Sequence, residues 1–212
     1  MTNAGNLFAA GLLLATLGSI ASAHGQTAQI KGPSRVSAMQ AAAAAGTAPS
    51  GDGSKIKFGA LTAIPNGYYE MCAQRPNLCR VHGGRLAASR DGSVRLTRDT
   101  MEQLASTNAN VNASIRPVGR DGWLPGRTEG DCKDFALTKR QRLITSGWPT
   151  SALPVAIVRT SSGDQHLILV ARTNEGDFVL DNLIPRVVPW ASAAYSWEKI
   201  QSTTDVWAWH TI

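Results

Sequence analysis

The chain has 212 residues, of which 43% are hydrophobic, and it carries a formal net charge of +6. This length and composition suit one folded domain with a single core, together with processing segments. The Lys and Arg residues are scattered, without a basic stripe or interleaved aromatic residues, which argues against a nucleic-acid partner.

The first 23 residues have the pattern of a cleaved signal peptide. Residues 7–17 are apolar, and Ala21 and Ala23 are small residues at the spacing that signal peptidase accepts. The apolar run is shorter than the about 20 residues that span a bilayer. No Lys or Arg precedes the run, which leaves a lipid-buried anchor or a plain N-terminal helix as alternatives. We therefore predict a signal peptide at residues 1–23 and a periplasmic or secreted protein.

The next segment, residues 24–55, is rich in Gly, Ala, Ser and Pro and lacks the large apolar residues that a core needs. This composition predicts a flexible linker. The folded domain is accordingly predicted at residues 56–212.

Two cysteines, Cys72 and Cys79, flank a Pro-Asn turn with six residues between them. In an exported protein this spacing favours a disulfide. Two reduced thiols are the first alternative, and a zinc site that includes His82 is the second, although the spacing matches no common zinc pattern. A disulfide would leave Cys132 as the unpaired cysteine.

A helix is predicted over residues 96–118, with Thr97 or Asp99 as its cap and Pro117 at its end. Its apolar stripe also contains Asn108 and Asn112, which need hydrogen-bond partners if that face is buried. We expect them to bond loop backbone, with a position in a substrate cleft as the alternative.

Cys132 is predicted to begin a second helix, for which Asp131 is a suitable N-cap and Asp134 a favourable first-turn acid. The free N–H groups and partial positive charge of a helix N-terminus favour a thiolate and can stabilise an oxyanion. A free cysteine is also common as a small buried apolar residue, so the helix alone leaves both roles open.

Three consecutive antiparallel strands are predicted downstream, at residues 155–158, 166–171 and 178–181. With residues 173–176 as a hairpin loop, Arg172 faces Asp177, and His166 and Asp181 share one face at the open end of the hairpin. A histidine oriented by a carboxylate is the base that a thiol nucleophile needs. Cys132, His166 and Asp181 are therefore the predicted catalytic residues.

These residues resemble the bacterial transglutaminase-like cysteine proteinases over residues 58–190. The similarity rests on the Gly-Asp-Cys-x-Asp-aromatic motif at residues 130–135, the later histidine, and Leu-Asp-Asn at residues 180–182. It implies an α+β, papain-like or transglutaminase-like fold, with the nucleophile helix packed on an antiparallel sheet. It also implies Cys132 as nucleophile, His166 as general base and then acid, and Asp181 as the residue that orients His166.

The resemblance further implies a protein substrate such as a large cell-surface adhesin, and regulation by an inner-membrane receptor that senses cyclic di-GMP. In such relatives two acids flank the nucleophile and help to bind calcium, which makes Asp131 and Asp134 candidate calcium ligands here. Lys133 replaces one flanking acid, and its ammonium group repels a cation. We therefore expect that no cofactor is required, with calcium as the alternative. Our hypothesis is that Lys133 supplies the positive charge that holds Cys132 as a thiolate.

The predicted function is that of an exported cysteine endopeptidase. A transamidase with the same thioester chemistry is one alternative, because sequence spacing does not reveal an amine-acceptor site. A domain that only binds a partner protein is another.

Overall fold

A computed structural model describes residues 54–119 and 122–212. The predicted signal peptide and nearly all of the predicted linker lie outside the described residues, as does Asp121. The helices of the described part are α1 (Asn66–Gln74), α2 (Arg98–Ser114) and α3 (Cys132–Thr145). The strands are β1 (Leu61–Thr62), β2 (Arg116–Pro117), β3 (Glu129–Gly130), β4 (Val155–Arg159), β5 (Gln165–Thr173), β6 (Gly176–Leu180), β7 (Val188–Pro189), β8 (Ser196–Gln201) and β9 (Trp209–Thr211).

The main sheet has seven strands in the order β1-β9-β8-β4-β5-β6-β7. Every neighbouring pair in it is antiparallel. Strands β2 and β3 form a separate parallel pair. The predicted α+β class with an antiparallel sheet is confirmed.

Both faces of the sheet are buried, which explains why β5 is an almost continuous apolar run. Leu167 and Leu169 point to the helical side and join a core with Leu137 and Leu143 of α3. Ile168 and Val170 belong to a second cluster on the other face. Aromatic side chains cover that second cluster, among them Phe58, Trp190, Tyr195 and Trp197. Alternate residues of one strand therefore serve two different cores.

Helix α3 begins at Cys132 because Asp131, just before it, and Asp134, in its first turn, form a complete capping box. The Asp131 side chain accepts the Lys133 amide hydrogen at 3.0 Å, and Asp134 Oδ2 accepts the Asp131 amide hydrogen at 3.0 Å. Reciprocal bonds of this kind satisfy donors that a helix start leaves free. The predicted N-cap, Asp131, is confirmed.

Helix α2 begins after Thr97, as predicted, but it ends at Ser114 and not near residue 118. The helix stops early because residues 116–118 form hydrogen bonds with another segment of the chain. Arg116 donates its amide hydrogen to Thr128 O at 2.8 Å, and Val118 donates to Gly130 O at 2.9 Å. These bonds place residues 116–117 in a strand beside the segment that leads into α3.

The structure joins Cys72 and Cys79 in a disulfide, with their Cα atoms 5.5 Å apart. Both residues lie in the core, beside Tyr68 and Met71 of α1. The bond ties α1 to the short 3₁₀ helix Pro76–Cys79. The disulfide closes a small loop, so the entropy that it removes from the unfolded chain stabilises the fold by at most about 2.5 kcal/mol.

Reduction of this disulfide should lower the free energy of unfolding by about 2.5 kcal/mol, because the unfolded chain regains loop freedom. Urea unfolding of Cys132→Ala with and without dithiothreitol measures the effect without interference from the third thiol. A Cys72→Ala/Cys79→Ala/Cys132→Ala control should be insensitive to dithiothreitol. Equal urea midpoints for reduced and oxidised Cys132→Ala would contradict the prediction.

Candidate active site

Cys132 is half-buried at the first position of α3 and is the free cysteine of the described residues. The next turns of the helix bury Phe135, Ala136 and Leu137, which fix the helix against the sheet. The thiol is thus held at the positive end of the helix macrodipole by a buried face.

His166 and Asp181 come together as the predicted strand register requires. The structure pairs Arg172 with Asp177 and Leu169 with Leu180. The loop is shorter than predicted, because Thr173 and Gly176 also pair, but the register is the same. His166 Nε2 lies 2.7 Å from Asp181 Oδ1, and both side chains are buried.

The environment of His166 favours its protonated form. Burial by itself lowers the pKa of His166, but hydrogen bonds to Asp181 and Cys132, together with their charges, raise it to about 9. Since Nε2 donates to Asp181, Nδ1 is the ring nitrogen that remains for Cys132. The three predicted residues therefore form one connected chain of interactions, from Cys132 through His166 to Asp181.

The buried Asp181 carboxylate accepts hydrogen bonds from several donors. Oδ1 also accepts the Leu183 amide hydrogen at 3.2 Å, and Oδ2 accepts the Tyr195 hydroxyl. Burial raises the pKa of Asp181, but the bond and charge of His166, with the Tyr195 and Leu183 bonds, bring it below its ordinary value. The carboxylate is therefore ionised at neutral pH.

Asn112 supports the same residue from helix α2, because its Nδ2 donates to the backbone oxygen of Asp181 at 2.9 Å. Asn108, one turn earlier, donates to Pro185 O at 3.0 Å. Both bonds go to loop backbone, which confirms the expectation for these two polar residues. Helix α2 thereby holds the loop that carries Asp181.

Lys139 is a buried amine near this cluster that sequence reasoning missed. It lies on α3, two turns after Cys132, with its Nζ 6.0 Å from the centre of the Phe135 ring. Burial lowers the pKa of Lys139 to about 7, and the charge of Asp181 opposes that shift. A charged residue seven positions after Cys132, in line with the apolar face, was the available sequence clue.

Two clefts meet at Cys132 and His166. The larger has a volume of about 670 Å³, and its walls include Glu70, Met71, Gln74, Trp123, Lys133, Ile157 and Lys199. The smaller, of about 350 Å³, has mainly apolar walls that include Pro117, Val118, Phe135 and Leu183. An extended chain that crosses Cys132 can occupy both clefts.

The carboxylates of Asp131 and Asp134 are occupied by other groups. Asp131 accepts the Lys133 amide hydrogen and forms an ion pair with the Lys133 ammonium group. Asp134 is buried and accepts the Asp131 amide hydrogen, and burial raises the pKa of its carboxyl. Within residues 54–119 and 122–212, no group of three or more His, Cys, Asp or Glu side chains could hold a metal ion. The donors at this position do not suit calcium, which takes several oxygen ligands.

The solved structures to which the chain is similar include three of LapG from Legionella pneumophila. The calcium-bound form has a TM-score of 0.44 and 20% identity over 48% of this chain and 64% of that chain. The EGTA-treated form has a TM-score of 0.42 and 21% identity over 48% of this chain and 62% of that chain. The chain thus matches less than two thirds of the length of these LapG chains.

No curated protein matches the chain. The family profile described as bacterial transglutaminase-like cysteine proteinase BTLCP matches residues 58–212, which is most of the sequence. The chain therefore belongs to the bacterial transglutaminase-like cysteine proteinase family.

Proposed function

We propose that the protein is an exported endopeptidase that uses Cys132, His166 and Asp181 to cleave a cell-surface protein such as a large adhesin. The observation that carries the proposal is the buried 2.7 Å bond between His166 and Asp181 directly beside Cys132. A nucleophile, a base and a group that orients the base are the parts that covalent acyl transfer requires. The open clefts on both sides of Cys132 favour an extended internal segment of polypeptide as the substrate.

In the first half of the reaction the Cys132 sulfur attacks the carbonyl carbon of the scissile peptide bond. A carbon–sulfur bond forms and the carbonyl oxygen takes up negative charge. The Asp131 side chain already accepts amide hydrogens from the first turn of α3, so the Cys132 N–H is the donor we assign to this oxyanion. His166 then gives its proton to the leaving nitrogen, the carbon–nitrogen bond breaks, and a thioester remains on Cys132.

In the second half His166, now neutral, removes a proton from a water molecule. The hydroxide attacks the thioester carbon, the carbon–sulfur bond breaks, and the product leaves with a new carboxyl group. The proton taken from water restores the imidazolium ring beside the Cys132 thiolate. Asp181 keeps the ring in one orientation throughout.

Export is supported by the sequence pattern of residues 1–23 and by the Cys72–Cys79 disulfide, which oxidising compartments favour. None of the helices in the described part of the chain combines the length and apolarity needed to cross a bilayer. We place the linker at residues 24–55 and the peptidase domain at residues 56–212. An inner-membrane receptor remains the proposed regulatory partner.

We also propose that hydrolysis needs no calcium, because the Lys133 ammonium group occupies the Asp131 carboxylate. This ion pair is only partly exposed, since both side chains retain 21% of their accessible surface. The positive charge beside Cys132 then comes from the Lys133 side chain and not from a bound calcium ion.

Cys132→Ala should abolish cleavage of the surface substrate while it leaves the fold intact, because the sulfur forms the covalent intermediate. Proteomics of the cell surface and medium, with and without the variant, should show released fragments in the wild type alone. Purified protein should release free amine ends from the substrate and should not incorporate a labelled amine. Amine incorporation in place of hydrolysis would identify a transamidase, and wild-type activity in Cys132→Ala would refute the mechanism.

The His166 imidazole should titrate near pH 9 in the wild type, and well below that in Asp181→Asn, where burial is no longer opposed by the carboxylate charge. Because the folded pKa is above the unfolded value, this contribution to stability is complete below about pH 6.5 and is lost as the pH rises through about 9. NMR of the ring resonances, assigned with His166→Gln, measures the pKa. Equal values in both proteins would contradict the assigned pairing.

A chelator should leave the wild-type cleavage rate unchanged, whereas Lys133→Glu should become stimulated by calcium, because the cation is replaced by a ligand oxygen. Rates are measured against calcium and against EGTA in both proteins, with Lys133→Arg as the charge-conserving control. A wild type that loses activity in EGTA would count against the proposal.

A further inference from the structure

Tyr195 is a half-buried partner of the candidate triad that belongs to neither cleft. It lies between the short 3₁₀ helix Trp190–Ser192 and strand β8, and its amide donates to Ala193 O at 2.8 Å. Its hydroxyl donates to Asp181 Oδ2. Its ring centre is 5.7 Å from that of His166, with the planes inclined by 51°. One side chain thus contacts two members of the triad.

The two oxygens of Asp181 have different partners. Oδ1 accepts from His166 Nε2 and from the Leu183 amide, whereas Oδ2 accepts from Tyr195. A carboxylate bonded through one oxygen can rotate about its Cβ–Cγ bond, whereas donors on both oxygens fix its plane. The direction in which the His166 ring points depends on that plane, because the ring has a single hydrogen bond to the carboxylate, at Oδ1.

We propose that Tyr195 is a positioning residue, which fixes the Asp181 carboxylate and thereby the imidazole that faces Cys132. This proposal rests on the proposed function, since it assigns His166 as the group that works on Cys132. Among the described residues that line the two clefts, Tyr195 does not appear. It therefore acts on the reaction through Asp181 and not by contact with the substrate.

The titratable groups around Asp181 come from several elements. His166 belongs to β5, Lys139 and Cys132 belong to α3, and Tyr195 precedes β8. Loss of the neutral Tyr195 hydroxyl leaves the other three groups in place. What changes is the orientation of the carboxylate and of the ring that it holds.

The test compares Tyr195→Phe, which removes only the hydroxyl, with Tyr68→Phe as a matched control. Tyr68 is more deeply buried than Tyr195, and its hydroxyl likewise has a side-chain partner, because it accepts a hydrogen bond from Gln201 Nε2 at 2.5 Å. Iodoacetamide alkylation of Cys132 at pH 6 reports the thiolate that a well-oriented imidazolium stabilises, and it needs no substrate. Circular dichroism gives the folded fraction to which each rate is normalised.

Tyr195→Phe should slow this alkylation, and kcat on a cleaved substrate, by about tenfold with KM unchanged, because small misplacements of a catalytic group have effects of at least this size. Tyr68→Phe should retain the wild-type rate. A wild-type rate in Tyr195→Phe, or an equal loss in Tyr68→Phe, would overturn the proposal. Absence of peptide cleavage by the wild type would refute the proposed function, and alkylation would still decide the role of Tyr195.

A second measurement applies if Tyr195→Phe does not fold. Replacement of Tyr195 by 3-fluorotyrosine keeps the side-chain shape and makes the hydroxyl a stronger donor. Asp181 then accepts less strongly from His166, because the two donors share one carboxylate. The downfield proton resonance of His166 Nε2–H should move upfield, and an unchanged resonance would overturn the proposal.

Discussion

The buried carboxylate of Asp181 is the constraint on which the rest of the site depends. An ionised group without water is costly unless charges and hydrogen bonds compensate it. Here the compensation comes from His166, the Leu183 amide and Tyr195, while Asn112 holds the backbone. His166, Tyr195 and Asn112 belong to three different segments of the chain, so Asp181 fixes those segments relative to one another.

The packing of the sheet fixes the position of His166 relative to Asp181. Strands β5 and β6 are buried on both faces, which fixes their register, because a slip by one residue would exchange the two cores. Helix α3 packs on the same sheet through Leu137 and Leu143. The position of Cys132 relative to His166 is therefore a consequence of core packing.

The N-terminus of α3 shows how one carboxylate serves structure and local charge together. Asp131 caps the helix through its Oδ1 atom and pairs with Lys133 through its Oδ2 atom. The acid next to Cys132 is thus neutralised by its neighbour, so its repulsion of a thiolate is reduced. The macrodipole and the imidazolium ring then act on the sulfur without an opposing charge.

Much of this arrangement was predictable from sequence, and the reason is geometric. The pairing of His166 with Asp181 depends only on the symmetry of a hairpin, and loops of two or four residues centred on the same point give the same register. The start of α3 followed from the capping residues Asp131 and Asp134. Such features are encoded within short stretches of the chain.

Other features were not predictable, because they depend on long-range contacts. Tyr195 reaches Asp181 from a segment with no periodicity, and Lys139 occupies a buried position that only the packing of α3 reveals. The end of α2 was misplaced because the partner of Arg116 lies in β3, which has no recognisable strand pattern. In each case the decisive neighbour is distant in sequence.

The most direct test of the account is mass spectrometry after treatment with a peptidyl epoxide at neutral pH. Such a reagent needs both an activated thiolate and a nearby proton donor to open its ring. We expect one adduct, on Cys132, in the wild type and almost none in His166→Ala. Equal labelling of the two proteins, or no labelling of Cys132 in the wild type, would contradict it.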